Sequence, residues 1–209
     1  MRTHIVRHGQ TEYSMKYLVN GDPSVPVELS AEGIRSCQRA WAVLPLHSTK
    51  TWIASGFPRA QQTAVLLTGV PAAELVVEAR LNELDYGDFE GGPWLTYGDW
   101  LDHHGAWRRP SGAAESQREG IRRMLLGLRD CLAVPGPRLV VCHGLLLSVL
   151  LWQRDRSGGE AMPLHFSEAP CVQPLDVADD TLTVWIEDLL SDLAMESRRD
   201  LGEGGDAAI

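Results

Sequence analysis

Lysine is scarce in this chain. Of 19 basic residues only Lys16 and Lys50 are lysines and the rest are arginines. Usage so skewed is a trait of genome composition, and arginine enrichment alone says nothing about phosphate. Positive charge is short overall: the formal net charge is −9, which argues against nucleic acid or an anionic membrane surface as partner. A local basic pocket for a small anion stays compatible with that balance. Cysteine is limited to Cys37, Cys131, Cys142 and Cys171, none in CxxC spacing and all in or near apolar runs. That pattern implies buried free thiols in a reducing compartment. Long apolar runs are missing too. Leu139–Trp152 is broken by His143, Gly144 and Ser148, short of the roughly 18 residues of a membrane span. A strand that already begins at Thr3 leaves no basic-then-apolar leader ahead of it. A soluble, cytoplasmic protein is expected.

What is present reads as an ordinary globular core. The 209 residues are 44% apolar and 22% charged, enough for one domain with a sizeable interior. Strands are expected at Thr3–Val6, Thr51–Ala54, Leu75–Val77 and Leu139–Cys142, the last buried on both faces, with two more near Val172–Leu175 and Leu182–Ile186. Asp179-Asp180 would be the hairpin turn between those two. Gln10–Leu29 reads as a long loop. Ser30 caps a helix carrying Ile34, Cys37, Trp41 and Leu44 on one stripe, ended by Pro45. A second helix starts near Arg59 and closes at Gly69. Pro93–His104 forms a short helix. Ser116 and Glu119 have capping-box form ahead of the stripe Ile121, Leu125, Leu128 and Leu132. A further apolar helix runs from Gly144 through Trp152, and Arg154–Pro163 is a polar connector. Alternating strands and helices predict an α/β fold: three layers, α/β/α, around a mostly parallel sheet. We expect a single domain over residues 1–201, with 93–115 as a variable lid or substrate segment and 202–209 as a disordered tail.

Four junctions after strands each deliver a polar group. They are Arg7-His8, Arg59 at a helix start whose free N–H groups favour an anion, Glu83, and His143-Gly144. In open α/β sheets ligands bind at the carboxyl ends of strands. Two arginines, two histidines and one glutamate at such places suit a single phosphate-sized anion. Arg7 offers forked donors, and Gly9 permits close backbone approach.

The set resembles the histidine phosphatase superfamily, the phosphoglycerate-mutase-like fold. The matching stretches are Val-Arg-His-Gly-Gln-Thr at 6–11, Leu-Ser-Ala-Glu-Gly at 29–33 and Ser-Gly-Phe-Pro-Arg-Ala-Gln-Gln-Thr-Ala at 55–64. Leu-Asn-Glu-Leu-Asp-Tyr-Gly-Asp-Phe-Glu-Gly at 81–91 and Val-Cys-His-Gly at 141–144 complete them, in the family's order. The resemblance implies that His8 is the nucleophile and forms a phosphohistidine. It implies that Arg7, Arg59 and His143 neutralise the transferring group, and that Glu83 is general acid and base. His8 must attack as neutral imidazole, so a backbone carbonyl is expected to hold its other ring N–H. The implied substrate-binding set is Arg7, Arg59, His143, Gly144, Gln10, Asn20, Tyr86, Arg108 and Arg109. No cofactor and no metal are implied. The chain departs from the family pattern at Ser14 (often Asn), Cys142 (commonly a hydroxyl residue) and Gly56 (more often acidic or apolar).

The spacing of 60 residues from Glu83 to His143 looks too short for the long insertion of cofactor-dependent phosphoglycerate mutases. The 84–91 stretch looks more like α-ribazole and broad-specificity phosphatases. A phosphatase acting on a small phosphorylated metabolite is therefore the leading reading. Mutase-type phosphoryl transfer is the first rival, with Arg108-Arg109 the one candidate for a second anion site. A binding module without turnover is the second. Residues 93–109, with Trp94, Tyr97, Trp100 and Trp107, form either an aromatic subcore or a lid over the substrate. Glu115 reads as a helix-start carboxylate. His103-His104 beside Asp99 and Asp102 reads as solvated loop, since adjacent histidines face different ways. Whether the chain forms a homodimer is left open.

Overall fold

The computed structural model describes residues 1–42, 44 and 46–203. In chain order they form β1 (Arg2–Arg7), α1 (Glu12–Met15), α2 (Ala31–Trp41), β2 (Thr51–Ala54), α3 (Pro58–Thr68) and β3 (Val76–Val77). These are followed by α4 (Trp94–His104), α5 (Gln117–Cys131), β4 (Arg138–Cys142), α6 (Gly144–Asp155), β5 (Leu175–Ala178) and α7 (Asp179–Glu203). One sheet takes them in the order β3-β2-β4-β1-β5. Its neighbours run parallel except β5, which is antiparallel to β1.

The period of two along each strand sorts side chains onto two cores. Ile5, Ile53, Val140 and Cys142 pack with Ile121, Leu125 and Leu128 of α5, Leu146 and Leu150 of α6, and Ile186 of α7. Val6, Ala54, Leu139 and Val141 face the other way, onto Cys37 of α2 and Ala60, Ala64 and Leu67 of α3. The chain is thus a three-layer α/β/α structure, and β4 is buried along its whole length. Ser30 caps α2 through Gly33 N–H, and Ser116 with Glu119 forms a reciprocal cap on α5. Gly69 closes α3 with φ +71°. Cys37, Cys131 and Cys142 are buried, Cys171 is half-buried, and all four are free. Among the described residues no helix is long and apolar enough to cross a membrane.

The C-terminal expectations need correction. The last strand is Leu175–Ala178, shifted from 172–175, and residues 182–186 lie in α7 rather than in a strand. Leu-Thr-Val-Trp-Ile alternates over five residues. Over the longer window, Leu182, Ile186, Leu189 and Leu193 recur at helical spacing, and all four are buried. Asp179-Asp180 is therefore the first turn of α7 and not a hairpin. The Asp179 carboxylate accepts from Thr3 Oγ1 at 2.9 Å and from the buried Arg138 at 2.9 Å. The 10–29 loop contains α1, capped by Thr11 and Ser14. Helix α2 stops at Trp41, and Pro45, expected to end it, lies outside the described residues. Gly202 and Glu203, expected in the tail, close α7, while 204–209 lie outside the described residues.

Candidate active site

Sheet register brings the functional junctions together. Arg7 pairs with Cys142, so the next residues, His8 and His143, emerge side by side where β1 and β4 end. Their ring centroids are 5.1 Å apart. Ala54 pairs with Val141 one strand over, which places Ser55 beside them. Two close approaches lock the loops behind the site. A Cβ on Gly33 would lie 2.1 Å from the Gln10 carbonyl oxygen, and one on Gly21 would lie 1.8 Å from the Leu84 carbonyl oxygen. Only glycine fits at either contact. Thr63 of α3 ties the nucleophile loop to the second arginine: its hydroxyl accepts from Gly9 N–H at 2.9 Å and donates to Arg59 O at 2.7 Å.

The protonation state of His8 follows from its neighbours. Arg59 Nε–H, which can only donate, points at His8 Nε2 at 3.1 Å. Nε2 must therefore carry the lone pair, and Nδ1–H donates to Gly9 O at 2.8 Å. The same logic holds for His143. Arg59 Nη2 faces its Nδ1 at 3.3 Å, leaving Nε2–H to donate to Ser55 Oγ at 2.7 Å. Burial first, and then the charge of Arg59, push both imidazoles well below the ordinary histidine value. The expected backbone carbonyl on His8 is present. His143 is fully buried and is not among the residues that line the cavity, and burial with the charge of Arg59 favours its neutral form.

Arg59 is almost wholly buried, yet each of its nitrogens is placed. Nη1 donates to Asn20 Oδ1, Nη2 to Asn20 O at 3.0 Å, and the guanidinium lies 4.2 Å from the centre of the Phe57 ring. Burial lowers it to about 10, so it remains a cation at neutral pH. Arg7 donates from Nη1 to Glu168 at 2.7 Å and to Ala169 O at 2.5 Å. Its Nε is buried without a hydrogen-bond partner, a free donor beside the first turn of α6. Glu83 accepts only from Leu84 N–H, at 2.9 Å, and burial raises its carboxyl above the usual range. A carboxyl group whose pKa is raised by burial is suited to proton donation.

Arg7, His8, Asn20, Arg59, Glu83, Tyr86 and Gly144 all line one cavity of about 650 Å³. Besides His143, three expected substrate contacts do not join them. Gln10 serves through its backbone, its carbonyl accepting from Ser30 N–H at 2.8 Å. Arg109 is clamped bidentately on Glu119 at 2.7 and 2.6 Å, reinforcing the cap of α5, and Arg108 is exposed away from the cavity. The capping carboxylate lies ten residues downstream and claims Arg109 for the fold. Tyr97 and Trp100 belong to the aromatic subcore, stacked 6.1 Å apart, and only Pro93, Trp94, Leu95 and Tyr97 of residues 93–109 reach the cavity. His103 and His104 end α4 rather than lying in a loop, with Nδ1 on the Asp99 and Trp100 carbonyls. Among the described residues no group of metal-ligating side chains assembles.

Three further residues have structural claims on the site, and of these only Ser55, the first residue of the 55–64 stretch, stood in a matching motif. Ser55 fixes the His143 tautomer. Arg123 of α5 grips the Arg80, Asn82 and Glu83 carbonyls and the Glu115 carboxylate, which in turn accepts from Asp85 N–H. Glu115 is thus structural. Glu168 engages Arg7 from a connector that has no motif.

Two adjacent histidines, a buried arginine on His8 Nε2 and a buried carboxyl group with a raised pKa make an arrangement suited to phosphoryl transfer. The model of the histidine phosphatase superfamily (branch 1) matches residues 3–184, and the chain belongs to that family. Its members are phosphatases or mutases, and this chain is an enzyme of that kind. It is 33% identical over 178 residues to the 2,3-bisphosphoglycerate-dependent phosphoglycerate mutase of Xanthobacter autotrophicus, covering 76% of this chain and 83% of the relative. The solved α-ribazole phosphatase from Shigella flexneri superposes with a TM-score of 0.63 at 25% identity, covering 85% of this chain and 90% of that one. A phosphoglycerate mutase from Thermus thermophilus shares the fold at TM-score 0.63 and 24% identity, covering 85% and 92%.

Proposed function

We propose that the chain is a phosphomonoesterase that hydrolyses a small phosphorylated metabolite through phospho-His8. The observation that carries this is the hydrogen bond from Arg59 Nε to His8 Nε2, which leaves a neutral nucleophile in the cavity that also holds Arg7 and Glu83. A phosphoryl oxygen that accepts the Arg59 N–H frees the Nε2 lone pair for attack. The N–P bond forms as the P–O ester bond breaks, and Glu83 gives its proton to the leaving oxygen. Water then attacks phosphorus, Glu83 takes its proton, the N–P bond breaks and inorganic phosphate leaves. Positioning and cationic charge supply most of the acceleration for such transfers.

The rival is mutase-type transfer, favoured by the mutase named above at 33% identity. It needs a second anion site to reorient a bisphosphorylated intermediate. Arg108 and Arg109 lie outside the cavity, and this favours hydrolysis. A binding module without turnover would have no use for a Glu83 carboxyl with a raised pKa beside a fixed His8 lone pair. The test is phosphate release from p-nitrophenyl phosphate by wild type and His8→Ala. Loss of at least a thousandfold is expected. Equal rates would refute the nucleophile, and transfer to a second hydroxyl in place of water would support the mutase.

A further inference from the structure

The cavity has two unlike parts. Around His8 it is polar, with Arg7, Arg59 and Glu83. The same lining has an apolar and largely aromatic part, made by Tyr17, Trp94, Leu95, Leu164 and Phe166. Tyr17 and Leu95 are 67% and 68% exposed and Trp94 is 38% exposed. Large apolar groups left open to water on one rim mark a place where something apolar is received. The rim is also built, not loose. Tyr17 has φ +54°, a conformation unfavourable for a bulky side chain. It is held there because its carbonyl accepts from Trp94 N–H at 2.7 Å, while Leu18 bridges to Pro93. Trp94 in turn stands edge-on to His165, centroids 5.8 Å apart. Strain kept at the mouth of a site is characteristic of ligand clamps.

Charge in the lining points the same way. Beyond the two arginines the lining carries the exposed Lys16, and it also carries Glu168, whose carboxylate lies 2.7 Å from Arg7 Nη1. A second anionic group on the substrate that approached Glu168 would meet its negative charge.

We infer that the preferred substrate is a phosphomonoester of a bulky, uncharged aromatic or apolar alcohol, seated against Tyr17, Trp94 and Phe166, and that Glu168 disfavours leaving groups bearing a second anion. This rests on the phosphatase reading of His8. The test compares kcat/KM for 2-naphthyl phosphate, glycerol phosphate and 3-phosphoglycerate in wild type, Trp94→Ala and Glu168→Gln. Wild type should prefer naphthyl over glycerol phosphate by at least tenfold, with 3-phosphoglycerate last. Trp94→Ala should cut the naphthyl-to-glycerol ratio about tenfold, chiefly through KM, the scale of taking away one stacking ring. Glu168→Gln should raise 3-phosphoglycerate relative to glycerol phosphate by about tenfold, the order expected for one nearby charge removed. If Glu168 only tethers Arg7, its loss changes all three substrates by one factor, and the filter is refuted. Equal rates on the three substrates, or 3-phosphoglycerate first, would overturn the substrate class. If no substrate turns over, the phosphatase reading fails separately. Calorimetric binding of the same three compounds to His8→Ala then decides the class, with naphthyl phosphate tightest if it holds and 3-phosphoglycerate tightest if it does not.

Discussion

Replacing Glu83 by glutamine removes one transferable proton and little else. Glutamine Oε1 can still accept from Leu84 N–H, as the carboxylate does at 2.9 Å, and the side chain keeps its size. What goes is the acid that protonates the leaving oxygen. General acid–base assistance is worth about 10²–10⁴ in rate, so kcat/KM on an alkyl phosphate should fall at least a hundredfold, roughly 2.7 kcal/mol or more of barrier. On p-nitrophenyl phosphate, whose leaving group needs no proton, the rate of the first step should fall much less. The pH profile gives a second readout. Glu83 must be protonated to act, and burial raises its pKa above 4.5, so the first-step rate falls as pH rises through that raised value. His8 must be neutral, and its lowered pKa places the acid limb below 6.5. Rapid-quench measurement of the first turnover on both substrates across pH tests all of this. A loss under tenfold on the alkyl ester with the alkaline limb unmoved would transfer the acid role to another carboxylate.

The same substitution should raise stability at neutral pH. A carboxyl whose folded pKa is raised contributes stability below 4.5 that is lost as pH rises through the folded value, and glutamine escapes that loss; an unchanged denaturant midpoint would contradict it. His8 and His143 act in the opposite sense. Unfolded histidines take up protons near 6.5 and the folded ones resist, so stability should fall by about 1.4 kcal/mol per pH unit per histidine as pH drops from 6.5 toward the folded values. A denaturation midpoint flat from pH 7 to 5 would refute it. Gly33→Ala drives a methyl into the Gln10 carbonyl and should cost about 1–3 kcal/mol by overpacking, read from chemical denaturation, with activity reduced because that loop carries His8. Ser116→Ala should cost about 1 kcal/mol in the same assay by removing one arm of the α5 cap, with kcat preserved.

How much of this was readable from residues alone depended on the range of the cause. Local chemistry spoke clearly: Ser30 and Ser116 as caps, Gly69 as a stop, and the Thr51–Ala54 strand with its observed bounds. The site was legible as junctions after strands, because the register of β1 on β4 turns Arg7-His8 and Cys142-His143 into neighbours. Long-range claims on a side chain were not legible. Arg109 stood with Arg108 as the candidate second anion site, but Glu119 captures it. Arg123 and Glu168 act on the site only through folding, and no spacing announces them. Residues 182–186 misled because five β-favouring residues outweighed a helical stripe that shows only when Leu189 and Leu193 are counted.

The central claim concerns one nitrogen. Wild type mixed with a fast substrate and quenched in base within a turnover should carry a single phosphoryl group on the His8 peptide, attached at Nε2, the atom that faces Arg59. Phosphate on Nδ1, on His143, or on no residue while turnover proceeds would contradict the account.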